Sequence, residues 1–290
     1  MIIAVASGKG GTGKTTLTVN LARVLMEKAK IYVLDCDVEE PNVHLFLQVQ
    51  KIEDKIVNKS VPELEPEICS GCLECVKMCQ FNALVEVKAK PMVFSELCHS
   101  CGGCVEVCPT KALTEKDFPI GKVSIYEDER YVFVEGRLDV GQPMSPPVIK
   151  AVKKHLPNDP KAIAIIDAPP GTSCPVIASL HGADFILLVT EPTPFGLHDL
   201  DLAVKTVKEL KIPMGVVVNR VQAIPNLITK YCTQNQIPLL LHLPLDQEAA
   251  RLYSQGKILV DHLPEFKEKF QTIVPKIQKI LQEVQHANQN

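Results

Sequence analysis

Short, continuous apolar runs that end in polar residues recur along the chain. The runs are Ile2–Ala6, Ile31–Leu34, Ala162–Ile166, Phe185–Val189, Met214–Val218 and Leu239–Leu243. Runs of this length without polar alternation are typical of strands covered on both faces. Helical spacing of apolar residues follows several runs and predicts helices that include Val148–His155, Leu197–Leu210 and Pro264–Val284. The pattern therefore predicts a doubly wound, mainly parallel α/β sheet.

Two further patterns refine this prediction. Residues 123–126 and 131–135 alternate around the polar stretch 127–130 and predict a β-hairpin. The last predicted helix carries a single apolar stripe, and its polar face mixes acidic with basic residues. Because a membrane-surface helix is normally more strongly basic, we expect this helix to pack on the sheet and a membrane partner to be absent.

Composition narrows the function classes. The chain has 290 residues and a formal net charge of −3, which does not favour a dedicated nucleic-acid binder. It begins with a predicted core strand rather than a signal segment, and no apolar stretch is long enough to span a membrane. Eleven cysteines without a secretory signal indicate metal ligation in a reducing cytoplasm rather than disulfides.

The loop after the first strand carries a phosphate-binding motif. Residues 8–15 match G-x-x-x-x-G-K-[ST] between a predicted strand and a predicted helix. Consecutive backbone N–H groups and the positive end of the helix favour an anion at this point. Lys14 is expected to reach the outer phosphates of ATP or ADP, and Thr15 to ligate Mg²⁺. The predicted nucleotide-binding residues of the loop are Gly8, Lys9, Gly10, Gly11, Thr12, Gly13, Lys14, Thr15 and Thr16.

Carboxylates end two of the other predicted strands. Asp35 and Asp37 follow one strand, and Asp167 ends another at the Walker B position. Ligands of open α/β sheets bind at the carboxyl ends of the strands, so we expect Asp167 to hold Mg²⁺ through a water molecule. The alternative for Asp35 and Asp37 is that both are simply solvated acids at a strand end.

The cysteines between residues 69 and 108 form an internal repeat. Two sets of C-x₂-C-x₂-C-x₃-C are offset by a constant 29 residues. The first set is Cys69, Cys72, Cys75 and Cys79, and the second set is Cys98, Cys101, Cys104 and Cys108. Two structural zinc sites are the alternative, although such sites usually use two separated C-x₂-C pairs. The duplicated spacing favours two 4Fe–4S clusters.

The second lysine of the loop, Lys9 in K-G-G-T-G-K-T, resembles the deviant Walker A motif of the MinD/ParA/Mrp group of P-loop ATPases. The resemblance implies that Lys9 reaches a partner's nucleotide in an ATP-dependent homodimer. It also implies that Asp37 orients the attacking water, with Asp35 nearer the Mg²⁺, so that Lys9, Lys14 and Asp37 are the catalytic residues. It further implies that the Gly171 N–H contacts the terminal phosphate and that Asn219 recognises the adenine edge. The backbone at Pro244 and Asp246 is expected to close over the base.

The cysteine repeat resembles the bacterial two-cluster ferredoxin module. In that module the fourth cysteine of each set ligates the other cluster. The resemblance therefore implies that Cys69, Cys72, Cys75 and Cys108 hold one cluster, and that Cys98, Cys101, Cys104 and Cys79 hold the other. It predicts an α+β ferredoxin domain over residues 59–118, inserted into an ATPase domain formed by residues 1–58 and 119–290.

Three functions follow from these resemblances. In the first, ATP hydrolysis and dimerisation are coupled to electron transfer through the two clusters to a redox or iron–sulfur protein. In the second, the chain is a cluster carrier of the Mrp type, although Cys232 stands alone where those carriers have a C-terminal C-x-x-C. In the third, the chain is a positioning ATPase similar to MinD or ParA.

Overall fold

A computed structural model of the chain describes residues 1–27, 29–47, 49–159, 161–222 and 226–287, so the predicted end of the ATPase part at Asn290 lies outside the described residues. The strands are β1 (Ile2–Ala6), β2 (Ile31–Asp35), β3 (Lys51–Leu64), β4 (Leu84–Val87), β5 (Lys90–Val93), β6 (Leu113–Glu127), β7 (Tyr131–Leu138), β8 (Ile163–Asp167), β9 (Phe185–Thr190), β10 (Met214–Val221) and β11 (Leu239–Pro244). The helices are α1 (Lys14–Leu25), α2 (Glu74–Met78), α3 (Gly103–Glu106), α4 (Pro146–Lys153), α5 (Cys174–Leu180), α6 (Pro194–Leu210), α7 (Asn226–Gln234), α8 (Gln247–Ser254), α9 (Pro264–Gln271) and α10 (Ile273–Ala287).

A central sheet has the strand order β11-β10-β9-β1-β8-β2-β7-β6-β3. The strands from β11 to β7 are parallel, whereas at the edge β6 pairs in antiparallel fashion with β7, and β3 with β6. Alternate residues of β1 face opposite cores: Ile3 and Val5 pack with α1, α9 and α10, and Ala4 and Ala6 pack with α4, α5 and α6. Helices therefore cover both faces, and the predicted doubly wound fold is confirmed.

The predicted strands and the hairpin are confirmed, with small shifts at their ends. Strands β6 and β7 pair in antiparallel register from Gly121 with Leu138 to Glu127 with Val132. The prediction of one helix from Pro264 to Val284 was wrong, because α9 ends at Gln271 and α10 starts at Ile273. Pro275 explains the break, since a proline lacks the N–H for the hydrogen bond to residue 271 and its ring crowds that carbonyl.

The final helices pack on the sheet, as predicted. Phe266, Phe270, Ile273 and Ile277 are buried in the same core as the apolar face of α1. No helix within the described part of the chain is long and apolar enough to cross a membrane.

The antiparallel pair of β3 and β6, here called the ribbon, carries the cysteine-rich part of the chain. Pairing runs from Lys51 with Tyr126 to Leu64 with Leu113, and the register shifts between Val57 and Asn58. The predicted domain boundaries at residues 58/59 and 118/119 therefore lie inside continuous strands, beside this irregularity. We call residues 65–112, which the ribbon carries at its far end, the cysteine segment.

The cysteine segment has little hydrophobic core of its own. One cluster of buried residues comprises Cys75, Leu84, Cys104 and Leu113, and another comprises Val61, Ala83 and Cys98. Helices α2 and α3 and the β4–β5 hairpin are short, so the segment depends on the cysteines for much of its interior.

Candidate functional site

The carboxyl ends of β1, β2 and β8 meet at one edge of the sheet, which we call the nucleotide edge. Asp35 and Asp167 are register partners on adjacent strands, and β1 leads into the phosphate-binding loop. A cleft of about 1220 Å³, including its open mouth, lies at this edge. The predicted site residues that line it are Gly10, Gly11, Gly13, Lys14, Thr15, Thr16, Asp37, Asn219, Pro244 and Asp246. The predicted residues Gly8, Lys9, Thr12, Asp35, Asp167 and Gly171 do not line the cleft.

Two glycines set the shape of the loop. Gly13 has φ +102°, a left-handed conformation, and a Cβ there would lie 2.3 Å from the Asn219 side-chain nitrogen. A Cβ on Gly8 would lie 2.1 Å from the Asp199 carbonyl oxygen. The loop is therefore packed closely between the β10 end and helix α6, and no larger residue fits at either position.

Asp167 is held by two hydroxyl groups of helix α1. The Thr15 hydroxyl donates to its Oδ2 at 2.6 Å, and the Thr18 hydroxyl donates to its Oδ1 at 3.2 Å. Burial raises the pKa of Asp167 to about 6, although these hydrogen bonds and the charge of Lys14 lower it. The pairing of Thr15 with Asp167 brings together the hydroxyl and the carboxylate expected to act on one Mg²⁺ ion.

Asp37 lines the cleft close to the charge of Lys14. Burial raises the pKa of Asp37 to about 6; the Lys14 ammonium opposes this rise, and the Asp167 carboxylate adds to it. Lys14 itself is buried. A half-buried carboxylate in a cleft, with a perturbed pKa, is a good candidate for a residue that orients a water molecule.

Asp35 has a different environment from Asp37. It is fully buried, and its Oδ1 accepts the Asp37 N–H at 3.1 Å. Its Oδ2 accepts the N–H groups of Asn42 and Val43, each at 3.0 Å. Burial and the nearby Asp167 carboxylate raise the pKa of Asp35 well above its usual range. These contacts fix the turn that presents Asp37, while Mg²⁺ ligation by Asp35 stays a prediction.

Two residues that were predicted to contact the nucleotide form hydrogen bonds within the protein instead. The Gly171 N–H donates to the Ser7 carbonyl at 3.0 Å. The Asn219 amide nitrogen donates to the Thr12 carbonyl at 2.8 Å, and its oxygen accepts the Arg220 N–H at 2.9 Å. Contact of Gly171 with a terminal phosphate therefore requires the loop after β8 to separate from the phosphate-binding loop.

Lys9 is paired within its own chain. Its ammonium lies 3.4 Å from the Glu191 carboxylate, which also binds the guanidinium of Arg220. Glu191 follows β9, and its side chain is 15% exposed, compared with 36% for Lys9. The predicted contact of Lys9 with a partner's nucleotide thus requires this ion pair to open.

The base side of the cleft contains residues that the sequence did not indicate. Tyr253 and Phe266 line it, and the Tyr253 ring lies 5.0 Å from the Phe46 ring, centroid to centroid. Asp246 caps helix α8 by accepting the Ala249 N–H at 2.8 Å.

Thr18 could have been found from its position three residues after Thr15 on one helical face. Glu191 and Tyr253 carry no comparable signal.

The eight cysteines of the repeat line two separate cavities. Cys69, Cys72, Cys75 and Cys108 line the first cavity, and Cys79, Cys98, Cys101 and Cys104 line the second. We call these the first and second quartets; they are the two groups that the ferredoxin resemblance implied, each with its fourth cysteine from the other set.

The quartets fit iron–sulfur chemistry in their donor set. Cysteine thiolates are the ligands of such clusters, and four of them hold four irons. The Ala112 N–H donates to the Cys108 sulfur at 3.2 Å, and the Ser100 N–H donates to the Cys98 sulfur at 3.4 Å. Among the described residues, no three His, Cys, Asp or Glu side chains are grouped so that they could hold one metal ion. Cluster occupancy of the two cavities stays a prediction.

Known proteins resemble the chain over about three quarters of its length or more. Its sequence is 30% identical over 285 residues to "Uncharacterized protein MJ0578" of Methanocaldococcus jannaschii, covering 97% of this chain and 98% of that protein. It is 27% identical over 227 residues to an "Iron-sulfur cluster carrier protein" of Pyrococcus horikoshii, covering 74% of this chain and 60% of that protein.

Solved structures agree with the fold. The cell division ATPase MinD of Pyrococcus furiosus superposes with a TM-score of 0.57 at 21% identity, covering 97% of this chain and 99% of that chain. MinD of Pyrococcus horikoshii complexed with Mg-ADP gives a TM-score of 0.56, also at 21% identity, covering 98% and 95%. The profile of the "CobQ/CobB/MinD/ParA nucleotide binding domain" matches residues 3–260. The chain therefore belongs to the CobQ/CobB/MinD/ParA family of nucleotide-binding domains, with the fold of the MinD-type P-loop ATPases.

Proposed function

We propose that this protein is a Mg-ATP-dependent switch whose nucleotide state acts on two 4Fe–4S clusters held by the cysteine quartets. ATP binds in the cleft at the nucleotide edge, with Lys14 and Thr15 at its phosphates and Asp167 at the Mg²⁺. Asp37 orients the attacking water. The coupling, rather than the ATPase activity alone, is the distinctive part of the proposal.

One observation carries the coupling. The Leu138 N–H donates to the Val38 carbonyl at 2.8 Å, and Val38 directly follows Asp37. Leu138 in turn pairs with Gly121 of β6, one strand of the ribbon. A change in the Asp37 turn is therefore transmitted through backbone hydrogen bonds to the strand that carries the cysteine segment.

The protein has two contacts that ATP is expected to exchange. The Gly171 N–H leaves the Ser7 carbonyl for the terminal phosphate, and Lys9 leaves Glu191 for the nucleotide of a second copy. Both changes replace an intramolecular contact by a phosphate contact, so ATP favours the switched state by its differential affinity for it. The active form is accordingly an ATP-dependent homodimer.

The quartets would hold the clusters through their thiolates, and a bound 4Fe–4S cluster supplies one-electron transfer. The chain's contribution is to bury Cys75, Cys98 and Cys104 and to donate backbone N–H groups to Cys98 and Cys108, which tunes the potentials of the two groups that the quartets hold. The partner is a redox or iron–sulfur protein that docks at the cysteine segment.

The test is electron paramagnetic resonance of the anaerobically purified, dithionite-reduced protein with and without Mg-ATP. We expect signals of two interacting clusters that change when nucleotide is added. Lys14→Gln should abolish this change while iron content stays the same, and Asp37→Asn should keep the change but slow ATP hydrolysis. Two clusters that are indifferent to Mg-ATP would refute the coupling, and absence of iron would refute the cluster assignment.

Cluster delivery is a second candidate, favoured by the similarity to proteins named iron-sulfur cluster carriers. Against it, Cys232 is buried, and the sequence has no other cysteine after Cys174. Incubation of the loaded protein with an apo-ferredoxin distinguishes the two functions. Movement of iron to the acceptor supports delivery, whereas retention of iron by the quartets supports the switch.

A further inference from the structure

Lys59 is a buried cation that the nucleotide site does not use. It lies on β3 of the ribbon and is only 4% exposed. The other buried charged residues of the described chain are Lys14, Asp35, Glu135 and Asp167. Lys14, Asp35 and Asp167 belong to the nucleotide edge, and Glu135 pairs with His44 and Arg137. Lys59 alone lies beside the cysteine segment.

The Lys59 ammonium is directed at the backbone of the second quartet. It donates to the Cys98 carbonyl at 2.9 Å and to the Glu96 carbonyl at 3.1 Å. It also lies 5.5 Å from the centre of the Phe118 ring. Both carbonyls and the ring offer partial negative charge, but none carries a full charge.

Other lysines of the ribbon differ in this respect. Lys55 forms an ion pair with Glu53 at 3.2 Å, and Lys116 forms one with Glu63 at 2.9 Å. No ion pair found within the described ranges includes Lys59. The Glu96 carboxylate attracts the Lys59 ammonium only at longer range, and burial lowers the pKa of Lys59 despite it. A buried ammonium without an ion-pair partner is costly, so a negative group next to Cys98 would remove much of that cost.

The first quartet has no equivalent buried cation: Lys90 donates to the Pro66 carbonyl at 2.7 Å and Lys77 lies near Cys72, but both lysines are exposed. The residue 29 positions after Lys59 in the repeat is Lys88, which is exposed in the turn between β4 and β5. Among the residues that the structure describes, no buried Lys or Arg other than Lys59 occurs on the ribbon or in the cysteine segment. The two quartets therefore differ in buried charge, although their cysteine spacings are identical.

We propose that Lys59 is the counter-charge of the metal group held by the second quartet, and that it makes this group easier to reduce than the one held by the first quartet. The inference rests on the cluster assignment of the proposed function, but not on coupling to ATP. A fixed positive charge stabilises the more negative, reduced state of a nearby cluster, and net charge is among the factors that set cluster potentials. Lys59 is thus a positioning residue that orders the two groups by potential.

The test is a redox titration of the nucleotide-free protein, followed by electron paramagnetic resonance. In Lys59→Met the reduced-to-oxidised ratio of one cluster at fixed potential should fall about tenfold, a shift of about −59 mV for one electron. The other cluster should shift less than about twofold on the same scale. The matched control Lys88→Met should shift neither, and Cys101→Ser identifies which signal belongs to the second quartet.

Two more variants separate charge from structure. Lys59→Gln keeps a donor for the carbonyls but removes the charge, so it should shift the same cluster as Lys59→Met. Lys59→Arg should keep the wild-type potential. Wild-type potentials in Lys59→Gln, or equal shifts of both clusters, would overturn the inference. Indifference of the clusters to Mg-ATP would refute the coupling and leave this result intact, whereas absence of iron would refute both.

Discussion

At the nucleotide edge, polar groups are attached to strands that are buried on both faces, whereas in the cysteine segment the cysteines, which are the proposed metal ligands, are themselves much of the interior. Asp35 and Asp167 end strands that pack between two extensive cores. Cys75 and Cys104 belong to a buried cluster of only four residues. The first site is held in place by the fold around it, while the proposed clusters would complete the small core of the second.

This difference assigns separate roles to the two regions. The strands around such a site stay folded when the ligand leaves, so that only the loops at their ends change as nucleotide binds and is released. A small segment that owes its interior to metal ligation gains folding free energy from the metal. The ribbon joins them, so each region can change state without unfolding the other.

Removal of iron has the largest expected effect. The cysteine segment should lose its protection against amide hydrogen exchange by about 100-fold or more, since metal binding and folding are linked. Peptides from β1 and α1 should change less than about twofold by the same measurement. Hydrogen exchange before and after oxidative removal of iron and chelation measures both. Equal protection with and without iron would mean that the two small clusters of buried residues are sufficient.

Lys14→Gln should weaken ATP binding at the nucleotide edge and leave the iron content of the cysteine segment unchanged. Charge-assisted hydrogen bonds contribute about 1.5–3 kcal/mol, so ATP affinity should fall roughly 10- to 150-fold. Calorimetry and iron analysis measure the two effects, and Lys154→Gln, at an exposed position on the end of α4, is the control. A simultaneous loss of iron would contradict the independence of the regions.

Sequence patterns predicted most of the fold for a physical reason. Each central strand is covered on both faces, so its apolar run is continuous, and the loop glycines are required by the backbone itself, as at Gly13. The grouping of Cys108 with the first three cysteines was implied by the resemblance to two-cluster ferredoxins and not by the repeat itself, which groups Cys79 with them. The break between α9 and α10 was missed even though Pro275 signals it.

Contacts between distant residues could not be predicted in the same way. Glu191 meets Lys9 only because β9 lies beside β1 in the sheet. The Ser7 contact of Gly171 likewise depends on neighbouring strand ends. In the sequence alone, Lys59 cannot be distinguished from the exposed lysines of the ribbon. It is buried because the cysteine segment packs against the ribbon at this point. Local patterns do not contain this information.

A pH dependence should distinguish the nucleotide edge from the rest of the molecule. Burial raises the pKa of Asp37 and of Asp167 to about 6 in the folded, metal-free protein, compared with about 4 in the unfolded chain. The folded state binds more protons between these values, so their contribution to the free energy of unfolding falls as pH rises from about 4 to 6.

Asp37→Asn isolates that contribution. The variant should gain stability relative to wild type as pH rises from about 4 to 7, by the order of 2 kcal/mol. Urea unfolding of metal-free and nucleotide-free protein at both values measures the difference. A constant difference between wild type and variant would show that Asp37 titrates alike in both states.

Glu191→Gln tests the smallest of these effects, on the Lys9–Glu191 contact that is proposed to open when a second copy binds. Lys9 must leave Glu191 before it can reach a partner's nucleotide, so removing the carboxylate should favour the Mg-ATP dimer. Because partly exposed ion pairs contribute about 0.2–1 kcal/mol, the dimer dissociation constant should fall only about 1.5- to 5-fold. Sedimentation equilibrium with Mg-ATP measures this constant, and Glu209→Gln, at an exposed position of α6, is the control. Weaker dimerisation in Glu191→Gln would instead mean that Glu191 supports the dimer through Arg220, and that the Lys9 pair is part of the active state.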